Sequence, residues 1–181
     1  MDELYRTEEL RIRERLGRAG LPPGTLMQRA GEAAARAIDA FLRAGPLAGR
    51  TVNTRSSGAA AQAAAILVLC GAGDNGGDGF VCALALQQRG YRCTCWAPMP
   101  SGSADAQAAR QRWQAAAGAI VENLPAQDGF DCVVDALLGI GVSRPLGGAI
   151  LAALHWTRQR APGLPVVALN FNAVVVEADA N

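Results

Sequence analysis

A buried apolar strand that breaks into a turn rich in glycine and acid, then restarts as a helix, constrains this chain more than any other feature. The stretch reads Leu67-Val68-Leu69-Cys70-Gly71-Ala72-Gly73-Asp74-Asn75-Gly76-Gly77-Asp78-Gly79. Ile66 to Cys70 is apolar throughout and is followed directly by glycine, which predicts a strand. Five of the nine residues from Gly71 to Gly79 are glycine, a density that stabilises neither helix nor strand. It relaxes the limits on φ and lets backbone amides approach a ligand. Such a turn, opening a helix, offers unpaired N–H groups and the positive end of the helix dipole to an anion such as phosphate. Asp74, Asn75 and Asp78 lie inside it. Carboxylates add nothing to a loop that holds phosphate alone, so the turn points to a hydroxyl, a ring or a cation as well.

Around this centre the chain alternates between strand and helix signals. Thr7 with Glu8, Glu9 and Leu10 predicts a helix start, and Gly17 and Gly20-Leu21-Pro22-Pro23-Gly24 end that helix. Thr25 is expected to cap a longer helix to Arg43, its apolar stripe running through Leu26, Met27, Ala30, Ala34, Ala37, Ile38 and Phe41. Ala30 and Gly31 leave room for close approach. Residues 45–62 read as a loop, polar and without periodicity between Thr51 and Gly58. After the turn, Asp78 to Arg89 predicts a helix closed by Gly90. Strands are expected over Tyr91–Ala97, Ala119–Glu122, Asp131–Leu138 and Pro165–Leu169, with a further β-branched run at Val174-Val175-Val176. Helices are expected over Ala104–Ala117 and Ala149–Arg160. The strand at Asp131 enters a second glycine-rich loop, Gly139 to Gly148.

This alternation predicts an α/β domain with a mostly parallel sheet covered on both faces. With 181 residues, 50% of them hydrophobic, one domain spanning residues 1–181 is expected, its α/β core running from 65 to 181. Ligands of such sheets bind beyond the carboxyl ends of the strands, near the point where strand order reverses. Three of those ends carry polar or glycine-rich loops: Gly71 to Gly79, Asp135 to Gly148, and Asn170 to Ala173. They are expected to converge.

Composition removes several classes. Net charge is +1, so there is no electrostatic case for nucleic acid or an acidic membrane surface. Every basic residue is Arg, which excludes any mechanism that needs a Lys. The single His155 falls in a helix and reads as structural or exposed. Cys70, Cys82, Cys93, Cys95 and Cys132 show no metal-site spacing and read as reduced, buried small hydrophobes of a cytosolic protein. Neither a secretory signal nor a stretch long enough to span a bilayer is present, so a soluble protein is expected. Gly71-Ala72-Gly73-Asp74-Asn75-Gly76 formally satisfies GxGxxG after a strand. A dinucleotide-dependent dehydrogenase would end its next strand with an acid for the adenosine ribose, however, and Cys93-Thr94-Cys95-Trp96-Ala97 has none. A P-loop is excluded, because no Gly-Lys-Ser/Thr follows.

The residues from Gly71 to Gly79 resemble the GxGNNGGDG signature of the NAD(P)H-hydrate epimerase family, the YjeF N-terminal domain. Asp135-Ala136-Leu137-Leu138-Gly139-Ile140-Gly141-Val142-Ser143-Arg144-Pro145-Leu146 is similar to its DALFGTGLxRPL loop. Leu26-Met27-Gln28-Arg29-Ala30-Gly31 resembles its LMExAG helix, and all three come in the family order. The resemblance implies a Rossmann-like three-layer αβα sandwich, a homodimer and a bound potassium ion. It also implies cofactor repair: interconversion of R- and S-NADHX and NADPHX, whose reduced ring carries a hydroxyl at C6. Carried over by position, Asp74, Asn75, Gly76, Gly77 and Asp78 would line the substrate site. Asn75 and Asp135 would ligate potassium, a hard cation that suits oxygen ligands. Gly139, Ile140, Gly141, Val142, Ser143, Arg144 and Pro145 would embrace the diphosphate. Read from the residues alone, the alternatives are a strand-end capping acid for Asp135 and a solvent-facing charge for Arg144.

The chain departs from the family at VDIPSGL, where it reads Ala168-Leu169-Asn170-Phe171-Asn172-Ala173-Val174. Asn170 replaces the family Asp that contacts substrate and is a candidate acid/base. An amide binds but exchanges no proton, and losing such a group costs about 10²–10⁴-fold. Ala173 stands where the family Ser would ligate potassium, and only a backbone carbonyl ligand survives that change. Relative to the family pattern, the chain also ends before the last expected strands. Two readings stand: an epimerase, alone or as part of a bifunctional enzyme with a dehydratase domain, and a degenerate domain that binds a nucleotide or a partner.

Overall fold

The computed structural model describes residues 20–45, 63–126, 129–139, 147–160, 163–170 and 173–177. The helix expected over 7–16, nearly all of the loop over 45–62 and residues 140–146 of the second glycine loop lie outside them. The elements are α1 (Thr25–Ala44), β1 (Ala65–Cys70), α2 (Asp74–Gln88), β2 (Arg92–Trp96), α3 (Ala104–Ala115) and β3 (Ala119–Val121). They continue with β4 (Cys132–Ala136), α4 (Gly148–Arg160), β5 (Val166–Asn170) and β6 (Ala173–Glu177).

The strands form one sheet in the order β3-β2-β1-β4-β5-β6. The pairs β3-β2, β2-β1, β1-β4 and β4-β5 are parallel, and β6 returns antiparallel to β5. The chain thus lays strands outward from β1 to β3, crosses back, and continues from β4 on the other side. The reversal lies between β1 and β4, where a parallel sheet opens its crevice.

β1 is buried at all six residues because both faces of the sheet are covered. Ile66, Val68 and Cys70 join the core beneath α1, α2 and α3. Leu67 and Leu69 join a second core with Ala153 and Trp156 of α4. Helices on both faces make the three-layer αβα arrangement that the strand–helix alternation implied. All five cysteines are buried and free, on the α1–α3 side. Burial pushes the Cys93 and Cys132 thiols up to about 12, so they pack as neutral hydrophobes.

Local chemistry moves several boundaries. Thr25 does not cap α1; Gly24 holds the N-cap position with φ 76 and Thr25 is already helical. A left-handed residue is needed there, and only glycine takes that conformation freely. The buried stripe of α1 is Met27, Gly31, Ala34, Ala35, Ile38 and Leu42, with Ala37 turned to solvent. Gly31 is a true contact point: a Cβ there would lie 2.5 Å from Val81 Cβ and 2.8 Å from the Asp78 carbonyl oxygen. At the other end of α1, Asp39 Oδ1 accepts from Tyr91 Oη and Arg43 Nε, each at 2.7 Å. Burial pushes the Asp39 carboxyl up, but those bonds and the charges of Arg43 and Arg89 outweigh it and hold it below the usual range.

Gly90 ends α2 as expected. Its φ is 93, and its N–H reaches the Gln87 carbonyl while that of Tyr91 reaches Leu86, the paired bonds of a Schellman motif. α3 ends in the same way but with Ala117 at φ 56. Gly118 is needed one residue later, where a Cβ would lie 2.1 Å from the Trp113 ring. The helix stops at Ala115 because Ala117 turns left-handed and the Ala117 and Gly118 N–H groups close onto the Gln114 and Trp113 carbonyls.

Candidate functional site

Helix α2 begins at Asp74, four residues earlier than the sequence suggested. Asp74, Asn75, Gly76, Gly77 and Asp78 are therefore its first turn and not a free loop. An acid at the first helical position favours this start through the dipole. The glycines do a different job from the one expected. None from Gly71 to Gly79 is among the glycines with left-handed φ, so conformational freedom is not their use; close packing is. A Cβ on Gly71 would lie 1.9 Å from the Leu137 carbonyl oxygen, and one on Gly76 would lie 1.9 Å from that of Gly71. At Gly77 it would meet Met27 Cε at 2.5 Å, and at Gly79 Ala136 Cβ at 2.7 Å. Gly73 alone faces open space.

These contacts draw the turn against the end of β4. Gly71 N–H donates to the Ala136 carbonyl at 3.0 Å, and Asn75 Nδ2 donates to the Leu138 carbonyl at 3.1 Å. Gly139, the last described residue of that loop, comes within van der Waals distance of Asn75: a Cβ on it would be 3.4 Å from Asn75 Cβ. Asn75 is buried, and spending its amide N–H₂ on Leu138 leaves Oδ1 as its acceptor. On the opposite flank, Gly102 N–H donates to the Ala72 carbonyl at 2.8 Å. Ser103 Oγ caps α3 by accepting from Ala106 N at 3.1 Å, and its hydroxyl donates to Asp74 Oδ1. Ser103 was not singled out as a site residue, although a serine directly before a helix is an N-cap signal.

Asp135 lies in register with Leu69 of β1 and Ala168 of β5. Its Oδ1 accepts from the Leu137 amide at 2.9 Å, a strand-end cap as one reading of the sequence held. Oδ2 has no partner among the described residues. Burial raises the carboxyl above its ordinary value, and the Leu137 bond only partly opposes it. Among the described residues no group of three His, Cys, Asp or Glu is placed to hold a metal.

Asn170 ends β5, two residues beyond the partner of Asp135, and pairs with Ala173, the first residue of β6. The tips of β1, β4 and β5 thus lie side by side at one edge of the sheet, as the three polar loops led us to expect. Ile140, Gly141, Val142, Ser143, Arg144 and Pro145, together with Asn172, lie outside the described residues. His155 is exposed on α4.

A strand-order reversal bounded by a helix-opening glycine turn and an acidic strand end marks a doubly wound α/β domain with its crevice at the β1–β4 seam. Residues 23–173 match the family described as YjeF-related protein N-terminus, and the chain belongs to that family. It is 43% identical over 152 residues to the NAD(P)H-hydrate epimerase of Bordetella bronchiseptica, covering 81% of this chain and 56% of that protein. It is 37% identical over 182 residues to that of Rhodobacter capsulatus, covering 94% of this chain and 76% of the relative. The chain thus spans only about half the length of the Bordetella relatives it matches. The crystal structure of yeast ynu0, YNL200c, superposes with a TM-score of 0.73 at 22% identity over 93% of this chain and 70% of that one, a likeness of fold.

Proposed function

We propose that the domain is an NAD(P)H-hydrate epimerase, an isomerase that interconverts R- and S-NADHX and NADPHX. One observation supports this reading above others: Asn75 is tied through the Leu138 carbonyl to the end of the strand that carries Asp135, at the reversal point. The reaction asks little of a protein. The ring nitrogen expels the C6 hydroxyl, which leaves as water once protonated; water then adds to the other face of the iminium and gives up a proton. The protein must hold the ring, exclude competing nucleophiles and move those two protons. The first turn of α2, from Asp74 to Asp78, would hold the ring end, and Gly139 to Pro145 the diphosphate.

Potassium fits the donors present. Asn75 Oδ1, Asp135 Oδ2 and backbone carbonyls would supply oxygens suited to a hard monovalent cation, with the Ala173 carbonyl as a further candidate. A cation would also stabilise a carboxylate that burial now disfavours. Potassium would supply charge and a fixed frame, while the chain's own groups position substrate and protons. We further propose a homodimer in the cytoplasm, where free buried thiols such as these persist. No helix among the described residues is long and apolar enough to cross a membrane. The second reading, a domain that binds without turnover, is favoured by one residue, Asn170 in place of an acid.

The two readings part in one assay. Purified R-NADHX followed by proton NMR is expected to reach its S form faster with the protein than without, and faster in potassium than in sodium. A rate equal to the uncatalysed one in both salts leaves only the binding reading.

Asp135 gives a separate check. A carboxyl raised by folding contributes stability that is present below its unfolded pKa and lost as pH rises through the folded value. In potassium-free buffer the melting temperature of wild type is therefore expected to fall over that window, while Asp135→Asn lacks this component and melts higher at neutral pH. Adding potassium is expected to raise the wild-type Tm and leave the variant unmoved, because only a bound ion stabilises by mass action. Equal potassium responses would remove Asp135 from the cation site.

A further inference from the structure

The turn that opens α2 is held from two sides. Toward β4 it is fixed by the Gly71 and Asn75 bonds to the Ala136 and Leu138 carbonyls. On the other side stands the segment between β2 and α3. There Gly102 N–H donates to the Ala72 carbonyl at 2.8 Å, and the Ser103 hydroxyl donates to Asp74 Oδ1. α3 in turn braces this segment. Arg110 donates to the Met99 and Ala97 carbonyls at 2.7 and 3.4 Å, and Gln107 Nε2 donates to that of Ser101 at 3.1 Å.

The direction of the Ser103 bond follows from its second role. Its Oγ accepts from Ala106 N–H as the N-cap of α3, so the hydroxyl proton points away from that helix and toward the carboxylate. An ionised carboxylate only accepts. The run Ala106 N–H, Ser103 Oγ–H, Asp74 Oδ1 therefore presents Asp74 as an acceptor in one orientation. Asp74 is exposed, and it follows Gly73, where nothing lies within 4 Å of an added Cβ. That rim is open to a ligand.

A pinned acceptor suits one part of the substrate better than another. The ring end of NADHX offers two donors, the C6 hydroxyl and the carboxamide N–H₂. The hydroxyl leaves one face of the ring and returns to the other, and a carboxylate held in one orientation cannot follow it. The carboxamide is the same in both epimers. We propose that Ser103 is a positioning residue that fixes the Asp74 carboxylate as acceptor for the carboxamide N–H₂. The site then takes nicotinamide dinucleotides and rejects their nicotinic-acid counterparts, whose carboxylate Asp74 repels. The assignment rests on the epimerase reading above and extends it to the choice of ring substituent.

Calorimetry of the full chain with NADHX at its epimer equilibrium tests this, since turnover then adds no heat. Wild type is expected to bind NADHX about tenfold more tightly than the same compound with a carboxylate in place of the carboxamide. Asp74→Ala is expected to lose that preference. Ser103→Gly keeps a tolerated N-cap but releases the carboxylate, at an expected loss of about fivefold. Ser103→Thr keeps the hydroxyl and is expected to keep the affinity. In the Asp74→Ala background Ser103→Gly is expected to cost nothing more; the same loss there shows a capping role only and overturns the proposal. If Ser103→Gly does not fold, Ser103→Asp replaces it, a good N-cap that cannot donate when ionised, with at least the same loss expected. In the epimerisation assay the Ser103 variants are expected to raise KM rather than lower kcat, because the held group is the same in ground and transition states. A fall in kcat alone overturns the proposal. NADHX binding with no preference for the carboxamide overturns it and leaves the epimerase reading intact, whereas absence of heat with NADHX overturns both.

Discussion

Gly76→Ala is expected to destabilise the domain by about 3 kcal/mol or more, enough to leave a sizeable unfolded fraction at 37 °C. On helix propensity alone the substitution would help, since alanine exceeds glycine by about 1 kcal/mol inside a helix. Here the sign reverses, because the added Cβ would stand 1.9 Å from the Gly71 carbonyl oxygen, 2.8 Å from its carbon and 2.9 Å from its nitrogen. Backbone on both sides of that contact leaves no side chain to swing aside. Gly71 is itself held by its bond to Ala136 and by the Leu137 carbonyl. Relief would require α2 to lift from the β1–β4 seam. Gly73→Ala is the control: nothing lies within 4 Å of that position, and its φ of −85 suits alanine, so it costs less than about 1 kcal/mol as an N-cap change. Urea unfolding of the pair separates the two roles. Equal midpoints would show that close packing is not what these glycines are for.

That contrast marks what could be seen in the sequence and what could not. The apolar run at Ile66 to Cys70, the β-branched run at Val133-Val134 and the glycine after each helix are period and composition signals, and each element lies where those signals put it. The convergence of three strand tips followed from the alternation of strands and helices. By contrast, the start of α2 at Asp74 was hidden, because a glycine-rich stretch reads as a turn unless one knows that Leu137, Gly71, Met27 and Ala136 fill the space where Cβ atoms would be. Those neighbours are 66, 5, 50 and 57 positions from their glycines in sequence. The Ser103 bond to Asp74 joins residues 29 apart, and no local pattern announces it.

Asn170→Asp is expected to raise the rate of R- to S-NADHX interconversion by about 10²–10⁴-fold over wild type, the usual contribution of a positioned acid/base. Asn170 is the final residue of β5, beside the Asp135 strand and two residues further toward the edge where the tips meet. A carboxyl can give a proton to a departing hydroxyl and take one from incoming water; an amide of the same shape can bind both but exchange neither. The variant is therefore expected to gain a pH dependence that wild type lacks, with activity set by one added ionisation. Stability provides the counterweight. If the new carboxylate sits near Asp135, the two charges repel, and one of them holds its proton to higher pH. Potassium between them would relieve that repulsion, so the Tm of Asn170→Asp should respond to potassium more steeply than that of wild type. A rate that stays at the wild-type level while the potassium response steepens would mean that the carboxyl lies in the cation site without reaching the ring. The proton shuttle would then belong to another group in the first turn of α2, with Asp78 the first to replace by Asn.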